Sequence, residues 1–156
     1  LILFAAAAAA TPDCPPPETP ASPVQVGLDV HGRKVGGLGI AAFDGGVWSL
    51  TLLAPAGFEL FTITGPPTTV TTGLDAWRPW LERLPVERDL RVAFTAANAD
   101  CRAGGGRLRT RPTETGWERR WCGPGGGATA TRDGERVVLV DKRRGYTLTM
   151  VVDAPR

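Results

Sequence analysis

Few residues of this chain are equipped for acid–base or covalent chemistry, and their spacing does not assemble them for it. A hydrolase needs a nucleophile with a base in reach. The single histidine, His31, stands in "VHG" at the end of an apolar run, and no GxSxG elbow occurs. His31 therefore reads as a surface histidine beside a turn. A metal centre needs several ligands of suitable type, which one histidine and scattered carboxylates do not supply. The glycine runs "AGGGR" at 103–107 and "GPGGGATA" at 123–130 lack GK[ST] and do not lead from a strand into a helix. They read as connections, not phosphate loops. No catalytic residue, metal or cofactor is expected.

Arginines, tryptophans and cysteines remain. Arg107, Arg109 and Arg111 recur at period two, so they share one face of a strand, and Arg119 and Arg120 follow with Trp117 and Trp121 beside them. Aromatics interleaved with arginines can bind single-stranded nucleic acid or anionic headgroups. Glu114 and Glu118 make a balanced, solvated outer face the plainer reading. With 18 Lys plus Arg against 16 Asp plus Glu, no global field marks the chain for nucleic acid.

The N-terminus "LILFAAAAAA" is too short to span a bilayer and has the length of a secretory h-region. Residues 1–13 therefore read as a residual signal segment, 14–23 as a Pro-rich tether and 24–156 as one domain. Cys14 sits where a bacterial lipoprotein carries its lipidated cysteine, although Pro12 and Asp13 depart from that signal. Either Cys14 is lipidated, or cleavage in the Ala run leaves it free or removed. Cys101 and Cys122 are then the expected disulfide, because they flank a hairpin turning near Pro112 to Gly116 and an oxidising compartment would keep the bond.

The elements that must position these residues are strands. From Val24 onward, runs of five to ten residues alternate with turn signals: "HG" at 31–32, "DGG" at 44–46, "APAG" at 54–57, "RDG" at 132–134 and "RRG" at 143–145. Trp48, Leu50 and Leu52 point one way and Val47, Ser49 and Thr51 the other. About ten strands are predicted in this way. Only "TGLDAWRPWLERLP", 72–85, carries apolar residues at helical spacing, with Asp75 as N-cap and Pro85 as stop. The fold expected is mainly β: a curved antiparallel sheet or half-open barrel with one short helix over its mouth.

Two stretches resemble a family. "LTLLAPAGFELFTI" followed by "LDAWRPWLERLP", together with "ATATRDGERVVLVDKRRGYTLTMVV", resembles the outer-membrane lipoprotein receptor LolB and the uncharacterised LolB-like bacterial lipoproteins. The likeness covers roughly residues 34–152 in layout. It implies an apolar interior that accepts acyl chains, and a periplasmic position at the outer membrane. It also implies a hairpin tip, here Pro55, Ala56 and Phe58, that touches membrane or partner. Ala56 departs from the large apolar residue that such receptors project, and Phe58 is the substitute.

The cavity wall is accordingly expected from Trp48, Leu50, Leu52, Phe58 and Leu60, with Trp77 and Leu81 closing the mouth. The expected partner is an acyl chain or lipidated protein segment, held without chemistry by a lipid-anchored monomer. The competing reading is a structural or protein-binding envelope domain with a filled core.

Overall fold

A computed structural model describes residues 10–15, 21–95 and 100–152, and the side chains of 21–23 lie outside that description. The apolar run at 1–9 and most of the proline tether also lie outside it. Apolar and polar residues alternate along the described strands, so each has one face to bury. The strands are β1 (Ala21–Val30), β2 (Arg33–Asp44), β3 (Val47–Leu53), β4 (Glu59–Gly65) and β5 (Thr69–Thr72). After a helical crossing come β6 (Cys101–Ala103), β7 (Gly106–Pro112), β8 (Gly116–Gly123), β9 (Gly126–Asp133), β10 (Arg136–Asp141) and β11 (Tyr146–Val152). They form one curved, unclosed antiparallel sheet in the order β5-β4-β3-β2-β1-β11-β10-β9-β8-β7-β6.

Each half is a meander, and the two halves join where β1 pairs with β11, from Val24 opposite Val152 to Val30 opposite Tyr146. The turns fall where glycine and its neighbours signalled them. His31 (φ 51°) and Gly32 (φ 84°) make the left-handed pair that a two-residue hairpin needs.

The crossing from β5 to β6 is made by α1 (Arg78–Leu81), one turn with Pro79 inside its first turn, and α2 (Val86–Phe94). The helix expected over 72–85 is thus a single turn. The longer helix starts just after Pro85, where a stop was expected. Around α2, Val86, Arg88, Asp89, Leu90, Val92 and Ala93 are all buried. A helix covered on most of its circumference belongs to a core. It lies across the concave face against β3, β4, β6 and β10, strands of both halves.

The core is therefore the inner face of the sheet with a helix seated on it. Trp48, Leu50 and Leu52 lie on that face, in register with Gly65, Ile63 and Phe61 of β4. A bulge follows Leu52, and Phe61 and Ile63 continue the inner face. Leu60 is the extra residue at that bulge and is half-buried, packed against the margin of the core. Burial of Trp48, Leu52, Phe61 and Ile63 beneath α2 contributes roughly 1.5–3 kcal/mol for each side chain.

Candidate functional site

The concave face carries an unusual load of charge. Arg88 and Asp89 enter on α2, Asp141 ends β10, and Tyr146 opens β11 directly opposite Asp141. Arg88 Nε donates to Asp89 Oδ1 at 2.9 Å, and its Nη2 donates to Tyr146 Oη at 2.8 Å. The same Nη2 lies 2.9 Å from Asp141 Oδ2, and Tyr146 Oη donates to Asp89 Oδ2 at 2.5 Å. Arg88 is 2% exposed and Asp141 0%. Nη1 of Arg88 has no hydrogen-bond partner among the described residues, and the guanidinium lies 4.7 Å from the centre of the Trp121 ring. That contact offsets part of the desolvation cost of the cation.

Burial alone would raise the Asp141 carboxyl. The Arg144 backbone N–H and the guanidinium groups of Arg88 and Arg144 outweigh burial and hold it below the usual carboxylate range. Burial pushes the Tyr146 phenol well up, and the neighbouring Asp89 pushes it further. Tyr146 is therefore a neutral donor. The group is a closed structural network, since each acid is met by a cation or an O–H.

A second buried arginine fixes the helix end. Arg119 on β8 donates through Nη1 to Val92 O and through Nη2 to Thr95 O, both at 2.5 Å, and its guanidinium lies 4.1 Å from the Trp117 ring centre. Burial, with Arg132 nearby, pulls it down to about 10. The carbonyls that a helix C-terminus leaves unpaired are thus satisfied from the sheet. Arg119, Trp117 and Trp121 therefore sit on the inner side of β8, away from Arg107, Arg109 and Arg111. The mixed arginine–tryptophan face expected from the sequence is divided between the two sides of the sheet by strand alternation. On the outer side Arg109 stands opposite Arg120, and Arg111 pairs with Glu118.

At one end of the sheet the turns β1–β2, β8–β9 and β10–β11 meet α1 and enclose a cleft of about 450 Å3. Val30, Trp80, Leu84 and Tyr146 give it an apolar wall, and His31, Arg83, Arg143 and Arg144 give it a basic one. The His31 ring meets Trp80 edge-on, with centroids 5.1 Å apart. Gly145 makes room for it, since a Cβ there would stand 2.2 Å from the imidazole. The Arg144 guanidinium is held by Asp141 at 3.1 Å, which links the cleft to the buried network.

The residues expected at the cavity wall, its mouth and the hairpin tip separate into three places. Trp48, Leu50, Leu52 and Leu81 are core; Trp77 is half-buried against it; Phe58 is 61% exposed beside the exposed Pro55 and Ala56 at the β3–β4 tip. The cleft residues were not found from sequence, although His31 and "KRRG" marked two of its turns. Among the described residues no group of three or more metal-ligating side chains occurs.

The cysteine expectations are corrected. Cys101 is bonded to Cys14, and Cys122 is free and exposed. Register is the reason: Cys101 opposes Leu108, which opposes Trp121, so these three share the inner face and Cys122 faces out. Cys14 is delivered by a short parallel bridge, in which its N–H donates to Arg102 O and Arg102 N–H donates to Pro12 O, both at 2.8 Å. Its sulfur is occupied by that bond and buried, so it is not a lipid attachment point, and the first tether residues are docked to β6.

Neither protein-family models nor the curated proteins contain a match to this chain. Among the described residues no helix is long and apolar enough to cross a membrane.

Proposed function

We propose that this is a non-enzymatic binding domain of the cell envelope, which holds an acyl-type chain or lipidated segment against its β-shell. The observation that carries this reading is the cleft of about 450 Å3 beside α1, a size that suits a small ligand, with an apolar wall of Val30, Trp80 and Leu84. The Cys14–Cys101 bond supports an oxidising compartment. The resemblance of the β3–β4 hairpin and the closing strands to LolB-like lipoproteins supports an address at the outer membrane. With its sulfur taken by the bond to Cys101, Cys14 carries no lipid anchor in this reading.

A fluorescent fatty acid should bind the full chain saturably and be displaced by unlabelled acyl chains, with Trp80→Ala weakening it about tenfold. A folded protein that binds none, or binds equally well without Trp80, would favour the second reading. That reading is a structural or protein-binding domain, and the seating of α2 on the concave face is its support.

The exposed hairpin tip gives an independent measurement. Phe58→Ser should leave the unfolding free energy within about 0.5 kcal/mol of the parent, because the ring is mostly in water. It should lower sedimentation of the protein with liposomes. Equal sedimentation of the two proteins would remove the tip from the membrane role.

A further inference from the structure

The basic wall of the cleft is one-signed. None of its nine lining residues is Asp or Glu. Arg144 is engaged by Asp141, but Arg83 and Arg143 have neither an ion pair nor a side-chain hydrogen bond among the described residues. They come from separate elements, Arg83 from the segment after α1 and Arg143 from the β10–β11 turn, and the fold brings them to one concavity. Cations gathered against a low-dielectric wall repel one another and concentrate anions from solution. The backbone also accommodates one of them: at Gly126 (φ 125°) a Cβ would stand 2.9 Å from Arg143 Cδ, so the glycine leaves room for that side chain. The opposite wall is apolar. A ligand matched to both walls has a charged end and an apolar body.

We propose that the cleft binds an amphiphilic anion, whose carboxylate or phosphate is held by Arg83 and Arg143 while its apolar body lies along Val30, Trp80 and Leu84. This rests on the reading of the cleft as an apolar-ligand site and adds the charge of the ligand. Both arginines are exposed, so removing their side chains leaves the core intact. Guanidinium groups form paired, charge-assisted hydrogen bonds with either oxyanion, whereas a neutral headgroup offers no charge to neutralise.

The test is calorimetric titration of the full chain with dodecyl phosphate, dodecanoate, dodecyl maltoside and inorganic phosphate, each kept below its micellar concentration. Arg83→Ala/Arg143→Ala is titrated in parallel, with its melting curve as the check of folding. The charged amphiphiles should bind about tenfold or more tightly than the maltoside, and the double variant should erase that advantage while retaining the maltoside affinity. Raised salt should narrow the gap in the parent. Equal affinities, or an advantage that survives in the double variant, would overturn the anion assignment and leave the apolar reading intact. If none of the three amphiphiles binds, the apolar reading itself fails. Inorganic phosphate binding as tightly as dodecyl phosphate, and lost in the double variant, would overturn the amphiphile and leave a bare oxyanion site.

Discussion

Cys101→Ser, or reduction of the intact chain, should lower the unfolding free energy by about 4–5 kcal/mol in the chain-entropy model, because the bond joins residues 87 apart in sequence. The loss has a local side as well. Cys14 O accepts from Arg91 Nη1 at 3.0 Å and Pro15 O accepts from Thr95 Oγ1 at 3.0 Å, so release of the segment also frees the end of α2. Cys122→Ser is the control, and denaturant melts with and without reductant are the measurement. Cys122→Ser should match the parent in both. Equal destabilisation by Cys122→Ser and Cys101→Ser would mean that those two sulfurs are partners after all.

Arg88→Met should be as severe, at about 3–5 kcal/mol, because it leaves Asp89 and Asp141 buried without their shared cation. Replacing Arg88, Asp89 and Asp141 together by apolar residues should be less damaging than the single changes added up, since no uncompensated charge is then left inside. Within that network Asp141 contributes to the acid limb of stability, whereas burial raises Asp89, which has the opposite sign. The folded state holds the Asp141 carboxyl below its unfolded value, so its contribution is complete above about pH 4 and is lost as the pH falls through the depressed native range. Urea melts from neutral to acid pH should show that loss in the parent and a shallower slope in Asp141→Asn. An acid slope unchanged by Asp141→Asn would assign the limb to other carboxylates.

The strands were legible because their pattern is local. Trp48, Leu50 and Leu52 alternate with polar partners, and "HG", "DGG" and "RRG" have the chemistry that tight turns demand, so β1 to β4 and β9 to β11 could be placed by period and punctuation. The plug helix was not, because charged Arg88 and Asp89 occupy inward positions and interrupt the apolar stripe by which such a helix is recognised. Their partners, Asp141 and Tyr146, lie more than fifty residues away, and only the fold shows that they meet. The cysteine pairing failed for a parity reason. Flanking a hairpin brings two chain segments together but does not put both sulfurs on the same side of the sheet, and Cys122 is one residue out of phase. The cleft was hidden because it is made of turns from both halves of the sheet.

The join between β1 and β11 also dictates an order of assembly. Every other ladder connects strands that are neighbours along the chain, so each meander can grow from local contacts, while Val24 must find Val152 near the far end of the sequence. Non-local pairing is slow, because most of the chain has to be closed into a loop before it is rewarded. During synthesis, β1 emerges before the other strands of this sheet and β11 after them. Until β11 arrives, β1 presents a free edge flanked by half-built apolar surface, the condition under which chains pair with the wrong neighbour. A chain with β1 made and β11 still missing is therefore expected to be at its most prone to pair with its own copies.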